Sequence, residues 1–439
     1  MGQTSRSGSP FLAANAPRDR VLQAMFANMR AWIIRYTHAN GGEIHQRNGA
    51  TWVYTPEEGG DALIAFPELD PAHAGEQLDA IIAYYRQRQP LKDVIFWSTE
   101  PPRPTDIEAQ LIARGFEWSS QPHWMWLDMR NLRLPATIPK GLRIEVMENA
   151  PLWNVTDLPY YNRNVVQRRR ARKSARIPYV WHIGASLDGQ LVGHAILHLT
   201  TGELGVAGIF DVGVVPEARN KGVGKAITFS ACSLAQKMGC RHAVLNSTPS
   251  GEPVYKRLGF GSLGNGHVWL LRAKTLAVPA APSWLVECAE AVGRGDVEAL
   301  EQLAQMQPLA TFDGCLPSGV SLLQIAVNLR QRATAEWLIA HGASLDVVSA
   351  WDLGWHERAR ELLAVTPEQV NKRLGNTQLT PLHIATERGD AALAHLLLAA
   401  YPDLTLSDSQ FHTTALGWAY QYQRSEIIAM IEQHARKRR

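Results

Sequence analysis

The 439-residue sequence has only four cysteines, Cys232, Cys240, Cys288 and Cys315, and none forms a CxxC pair. That excludes a disulfide-dense scaffold and fits a reducing, cytoplasmic setting. No run approaches the roughly 18 apolar residues of a membrane-spanning helix. The net charge is only +3, which gives neither nucleic acid nor a membrane an electrostatic hold on the chain as a whole. No cluster has metal-ligand spacing, and no cysteine stands in a motif with a partner base, so neither a metal centre nor a Cys nucleophile is expected. Met1 to Pro17 lacks an apolar signal core. It also carries Arg6 where a myristoylation signal needs Ser or Thr, so it reads as a flexible tail. What is present is ordinary globular material, 46% hydrophobic and 19% charged, with length for about three domains.

Two Pro-containing stretches divide the chain: Leu134-Pro135-Ala136-Thr137-Ile138-Pro139, and Ala277-Val278-Pro279-Ala280-Ala281-Pro282. Proline removes an N–H and disfavours helix in its predecessor, so both read as extended connections. The expected partition is a tail over 1–17, domains over 18–133 and 140–274, a linker over 275–282 and a third domain over 283–439.

The third block repeats. Thr380-Pro381-Leu382-His383-Ile384-Ala385 opens a helix, Glu387-Arg388-Gly389-Asp390 turns, and a second apolar helix follows. The key Ala385 recurs at Ala419 within Thr414–Ala419, at Ala326 within Ser321–Ala326, at Ala291 before Arg294-Gly295-Asp296, and at Ala350 in a shortened unit. This pattern resembles the ankyrin repeat over residues 283–434, in about five units. The resemblance implies a helical solenoid that presents a surface to a protein partner or to another domain. Thr380 suits the helix cap, Pro381 the first turn, and His383 a structural hydrogen bond.

The middle block alternates apolar and polar or small residues in three runs, 179–186, 191–199 and 206–215, with the hairpin signal Asp188-Gly189 between the first two. The third run leads into Pro216-Glu217-Ala218-Arg219-Asn220-Lys221-Gly222-Val223-Gly224-Lys225. An amphipathic helix follows, with Ala226, Ile227, Phe229, Leu234 and Met238 as its apolar candidates. A strand, a basic glycine-containing loop and a helix N-terminus make an anion site. Unpaired N–H groups carry partial positive charge, and glycines let a phosphate approach the backbone. A further strand, 241–246, precedes Tyr255, Gly259 and Phe260.

Arg219, Gly222 and Gly224, followed by Tyr255 and Gly259-Phe260, resemble motifs A and B of the GNAT superfamily of N-acetyltransferases, over residues 141–274. The resemblance implies acetyl-CoA as co-substrate, no metal, and direct acetyl transfer to an amine. It implies that Val212, Gly213 and Val214 meet pantetheine and the thioester carbonyl, where backbone donors stabilise a developing oxyanion. It implies that Arg219, Asn220, Lys221, Gly222, Val223, Gly224 and Lys225 hold the pyrophosphate, and that Asn246 contacts the cofactor. Tyr255 would then be the general acid toward the leaving thiolate; taken alone, it also fits a helix residue packed beside Phe260. An amine needs a base, and Asp211 is placed first, with Glu203, His194, His198 and a water-mediated base as alternatives. The basic run Arg163, Arg168-Arg169-Arg170-Ala171-Arg172-Lys173-Ser174-Ala175-Arg176 reads as a solvated helix face, with an electrostatic lip for an acidic acceptor as the alternative.

The first block echoes the second. Gly115-Phe116 and His123 each stand 144 positions before Gly259-Phe260 and His267. A helix over 21–36, strands near 49–55, 62–66 and 93–97, and helices over 74–88 and 106–114 suggest a second GNAT-like fold. It has no Arg/Gln-x-x-Gly-x-Gly motif. Gln46-Arg47-Asn48-Gly49-Ala50-Thr51 comes closest, and nothing matches Tyr255. It reads as a degenerate half that has lost cofactor binding and shapes the acceptor pocket or scaffolds the active half, with Trp97, Trp118, Trp124 and Trp126 assigned to the core. The expected architecture is α+β, two tandem GNAT folds with mixed, mostly antiparallel sheets, plus an all-α ankyrin solenoid. The expected function is acetylation of a small-molecule amine, such as an antibiotic or other natural product that acetylation inactivates. The alternatives are a protein lysine or N-terminal acetyltransferase recruited by the ankyrin repeats, and a non-catalytic ankyrin protein that senses acetyl-CoA.

Overall fold

The computed structural model describes residues 10–56, 60–135, 137–147, 158–159, 173, 176–306, 312–374 and 377–437. They form two compact units, Met1–Ala280 and Ala281–Arg439.

The first half of the first unit runs α1 (Arg18–Ala39), β1 (Glu43–Arg47), β2 (Ala50–Tyr54), β3 (Ala62–Ala65), α2 (Ala74–Arg88), β4 (Val94–Trp97), α3 (Ile107–Ala113), β5 (Phe116–Ser120) and β6 (His123–Asp128). Its second half runs β7 (Leu142–Val146), β8 (Val180–Leu187), β9 (Gln190–Leu199), β10 (Ala207–Val214), α4 (Val223–Lys237), β11 (His242–Ser247), α5 (Glu252–Leu258), β12 (Gly261–Asn265) and β13 (Val268–Leu271). The hairpin at Asp188-Gly189 has positive φ at both residues, 50° and 82°, as a two-residue turn between twisted strands requires.

The halves exchange their last strands. One sheet has the order β1-β2-β3-β4-β13-β5, the other β12-β6-β11-β10-β9-β8-β7. β6 is antiparallel to both β11 and β12, and β13 to both β4 and β5. Each donated strand is interior to the other half's sheet, so its backbone groups find partners on both sides. The inward residues Trp124, Met125, Leu127, Trp269 and Leu271 are buried. Separating the halves would break ladders in both sheets, which is why they form one compact unit.

Period-two alternation sends the second sheet's side chains to two different helices. Ala207, Ile209 and Leu245 pack with Val223, Ile227 and Ala231 of α4. Their neighbours Val206 and Val244 pack with Val21, Ala24, Met25 and Phe26 of α1. Thus α4, from the second half, and α1, from the first, cover opposite faces. Two glycines allow the close approach. A Cβ on Gly193 would lie 2.6 Å from Ile227 Cδ1, and one on Gly208 would overlap the Asn28 side chain. Buried Asn28 clasps α1 to the sheet, its Nδ2 lying 3.2 Å from His198 O, 3.1 Å from Thr200 Oγ1 and 3.1 Å from Val206 O.

Three expectations change. Pro10–Ala16 is not a loose tail: Phe11 and Leu12 are buried, and Leu12 N donates to Gly205 O at 2.9 Å while Gly202 N donates to Pro10 O at 2.8 Å. Two apolar side chains and backbone hydrogen bonds suffice to fix the segment. Met238 caps α4 and is exposed rather than core. Of the four tryptophans assigned to the core, only Trp124 is fully buried; Trp118 is 58% exposed, because β5 is an edge strand.

In the second unit the described residues form five helix pairs between Ser283 and Lys437. The repeat is legible as burial: Ala291, Ala326, Ala350, Ala385 and Ala419 are each at most 1% exposed. Four residues after each, the backbone turns left-handed, at Gly295, Arg330, Gly354, Gly389 and Gln423. The next N–H then closes on the alanine carbonyl in all five repeats, a helix-ending motif. Ser321, Asp346, Thr380 and Thr414 cap the first helices. His383 is structural, as expected, with Nδ1 2.7 Å from Thr380 Oγ1 and Nε2 3.0 Å from Thr413 O.

Replacing Asn28 by Ala should destabilise the first unit by about 1–3 kcal/mol, because buried acceptors lose their donor. Thermal melting of the full chain checks this, and an unchanged first-unit transition would contradict the clasp.

Candidate active site

β10 and β11 are parallel and pair for three registers, ending at Ile209↔Leu245. Beyond that point β10 stays with β9, and β11 stays with β6 through Ser247. The two strands part. The register between β10 and β9 slips between Phe210 and Gly213. Phe210 faces Ile196 and Gly213 faces His194, so three steps on β10 match two on β9. The slip is a β-bulge that contains Asp211, a non-glycine residue at φ 50°. Bulges bend a strand and re-aim its side chains, and a left-handed residue here is a local strain.

The parting opens two adjoining cavities. The first, of about 710 Å³, is lined by Phe210 to Val214, Asn246, Gly251, Val254 and Tyr255, and also by Met29, Trp32, Ile33, Leu63 and Trp97 of the first half. The second, of about 610 Å³, is lined by Arg219 to Lys225, with Thr137 and Arg257. Val214, Arg219, Gly224, Ser250 and Val254 border both. Every site residue expected from sequence lines one cavity or the other: Asp211, Val212, Gly213, Val214, Asn246 and Tyr255 the first, and Asn220, Lys221, Gly222, Val223 and Lys225 the second, with Arg219 and Gly224 in both.

The second cavity is built for an anion. Gly222 is the N-cap of α4 at φ 88°, and no side chain caps the helix, so its first-turn N–H groups carry their partial charge toward the opening. Arg219, Lys221, Lys225 and Arg257 surround it. Arg219 is tied back through its Nε, which donates to Val214 O at 3.2 Å. Near Gly222 a Cβ would come only within 3.6 Å of Thr137 O, in the connection between the halves. That connection is therefore part of the pocket wall.

The first cavity holds an acid and a base candidate. Asp211 keeps a surface accessible from the cavity, yet the walls crowd its carboxyl, and this loss of bulk water pushes its pKa up to about 6. It is a carboxylate above that pH. Tyr255 is 8% exposed, packs its ring 5.9 Å from that of Phe260, and faces the cavity.

The alternative bases fall away. His194 is fully buried, its Nε2 3.1 Å from His182 Nδ1. Burial above all, with His182 beside it, holds its pKa well below the usual value. His198 is pushed down to about 3, first by burial and then by Arg35, whose guanidinium lies 3.0 Å from Nε2. Neither borders the cavity, and imidazoles that acidic are poor proton acceptors near neutrality. Glu203 lies in the β9–β10 connection, 3.7 Å from Arg20, with its side chain 94% exposed. Of the basic run, Arg163, Arg168 to Arg172, Ser174 and Ala175 lie outside the described residues.

Sequence reasoning missed Met29, Trp32, Ile33, Leu63, Thr137, Val254 and Arg257, and placed Trp97 in the core. The fold of one half against the other brings Met29, Trp32, Ile33, Leu63 and Trp97 to the cleft, while Val254 and Arg257 stand on α5 beside Tyr255. The corresponding place in the first half is closed. β3 and β4 pair through Ala65↔Trp97, and Phe66 N continues the ladder to Trp97 O at 2.9 Å. Phe66 fills the gap, fully buried and stacked 4.8 Å from Phe26. Helix α2 has His73 as its N-cap, which pairs with Asp70, and carries Glu76 in its first turn. The closest motif-A echo, Gln46–Thr51, is the β1–β2 hairpin, and the element that follows it is a strand rather than a helix.

Residues 142–260 match the acetyltransferase (GNAT) family, and residues 377–409 match the ankyrin repeat. Among curated proteins, the chain is 37% identical over 76 residues to a glucosamine 6-phosphate N-acetyltransferase of Trypanosoma brucei brucei, which covers 16% of this chain and 52% of that protein. The chain thus spans about half the length of the curated relative it matches. Solved structures with similarity include a GCN5-related N-acetyltransferase from Kribbella flavida (16% identity, 56% of this chain and 94% of that one, TM-score 0.42). Another is a tandem GNAT protein from the clavulanic acid biosynthesis pathway (17% identity, 62% and 98%, TM-score 0.43). One chain thus carries a segment that matches the acetyltransferase (GNAT) family and a segment that matches the ankyrin repeat.

Calorimetric titration of acetyl-CoA should give one site per chain, because among the described residues the strands part in the second half and stay paired in the first. Gly222→Asp should weaken binding by about 100-fold or more, since it puts a side chain at a left-handed position and a negative charge at a phosphate site. Normal affinity in that variant, or two sites per chain, would contradict the assignment.

Proposed function

We propose that this chain is an acetyl-CoA-dependent N-acetyltransferase that moves acetyl directly from the thioester to a primary amine of a small molecule. The observation that carries the reading is the junction of the two cavities where β10 leaves β11. A cationic helix N-terminus lies on one side, and Asp211 and Tyr255 lie on the other. The unpaired first-turn N–H groups and Arg219, Lys221 and Lys225 fit a pyrophosphate, and the parted strands leave an opening for the pantetheine arm. Val212 to Gly213 would offer backbone hydrogen bonds to the arm and to the oxygen that becomes negative in the transition state.

When bound, acetyl-CoA supplies the acyl group and the thiolate leaving group. The acceptor ammonium gives one proton to Asp211, directly or through one water, which frees the nitrogen lone pair to attack the carbonyl carbon, and the nitrogen of the adduct loses a second proton to solvent. A C–N bond forms and the C–S bond breaks. Tyr255 donates its hydroxyl proton to the departing sulfur and is reprotonated from solvent, to which Asp211 returns its own proton. The balance is amine plus acetyl thioester to amide plus thiol. The first cavity, of about 710 Å³, suits a small acceptor, and amine-bearing natural products, antibiotics among them, are in the proposed class. The ankyrin repeats are the proposed site for a protein partner or for another part of the chain. No helix of the described residues is long and apolar enough to cross a membrane, and we place the enzyme in the cytoplasm.

Two variants test the roles. Tyr255→Phe should lower kcat by about 10²–10⁴-fold, the usual worth of a positioned acid, with the affinity for acetyl-CoA unchanged. The raised pKa of Asp211 means that its base form is lost as pH falls through about 6. In the native enzyme kcat/KM should therefore rise from pH 5 to 7, and Asp211→Asn should remove that limb while reducing the rate. Full turnover in either variant would remove that residue from the mechanism.

A further inference from the structure

We propose that the acceptor amine is carried on an aromatic or branched apolar body, an arylalkylamine-like small molecule, and that helix α1 of the inactive half supplies the wall that selects it. This deepens the acetyltransferase reading and rests on it.

The argument starts from the two faces of the second sheet. The anion cavity lies at α4, and the first cavity extends past the parted strands to residues of α1, on the opposite face. A substrate entering from the α4 side leaves the α1 side for the acceptor. There the cavity is walled by Met29, Trp32 and Ile33 of α1, by Leu63 and Trp97 of the first sheet, and by Phe210 beside the bulge. The Trp32 and Phe210 rings lie nearly parallel, 17° apart, with centroids 5.6 Å apart. Such a surface gains by covering an aromatic or branched hydrocarbon, not a hydrated sugar.

Charge points the same way. Among the described lining residues the ionisable groups are Asp211, Arg219 and Tyr255. Arg219 also borders the anion cavity and is tethered to Val214 O. A phosphorylated sugar needs cations for its dianion, and apart from Arg219 no described residue lining this cavity is a cation. A polyamine would bury a second ammonium against tryptophan and methionine with a single carboxylate to serve both ends. One carboxylate and an apolar wall suit one amine on one apolar body. The curated relative is named for glucosamine 6-phosphate, so this inference separates the two acceptors.

The test uses the full chain. Acetyl-CoA consumption is followed with 2-phenylethylamine, ethylamine, putrescine and glucosamine 6-phosphate, and 2-phenylethylamine binding is measured by calorimetry on chain saturated with CoA. The expected order of kcat/KM puts 2-phenylethylamine first, at least about 10-fold ahead, the scale of an apolar pocket's discrimination. Trp32→Ala should raise KM for 2-phenylethylamine by about 10-fold or more while leaving the acetyl-CoA affinity unchanged. Trp97→Leu, on a different element, should shift the same KM in the same direction. Preference for glucosamine 6-phosphate or putrescine, with acetyl-CoA bound and consumed, overturns the acceptor assignment and leaves the acetyltransferase reading standing. So does failure of 2-phenylethylamine to bind the CoA-saturated chain. Absence of acetyl-CoA binding overturns the acetyltransferase reading itself.

Discussion

Two parallel strands that stop pairing govern the chemistry of this molecule. Had β10 and β11 stayed in register beyond Ile209 and Leu245, the sheet would be continuous and neither cavity would have a floor. The bulge around Asp211 is what keeps them apart. It adds one residue to β10 while the ladder to β9 resumes at Gly213, so the strand bends without leaving its sheet. The same bulge sets Asp211 in the lining of the cleft, where crowding by the walls raises its pKa to about 6, toward the working range of a base. Geometry and acidity therefore have one local cause.

The two halves show how one topology can be kept for different ends. In the first, the equivalent strands stay paired and Phe66 occupies the space that opens in the second. The half without a cleft is still needed: it donates β6 to the middle of the other sheet and lays α1 across that sheet's face. Asn28 holds that helix at Gly208, two residues from Phe210. The half without a cleft thus lays a helix along the cavity of the other.

Much of this was legible in the sequence where the signal is local. Arg219 to Lys225 mark a helix N-terminus with glycines and cations, and Gly259-Phe260 follow Tyr255 at short range, so their roles can be read along one segment. The ankyrin unit was legible because the same buried alanine and left-handed turn recur. The rest depends on long-range apposition. Nothing around Trp32 distinguishes a cleft wall from the apolar side of an ordinary amphipathic helix. Trp97 reads as core because strand residues in apolar runs usually are. The paired echoes at His123 and His267 marked two terminal strands, but which sheet each joins is not a property of either segment. The bulge adds one residue to a run that alternates normally on both sides, and periodicity does not register it.

The most direct measurement is hydrogen–deuterium exchange of the full chain with and without acetyl-CoA. The account predicts slowed exchange at the amides of Val212 to Val214 and of Asn220 to Lys225, where parted strand and helix N-terminus take the ligand. Phe66 to Gly75, the matching stretch of the first half, should not change. Protection confined to the first half, or equal in both, would contradict the claim that the single open cleft between β10 and β11 is where this protein works.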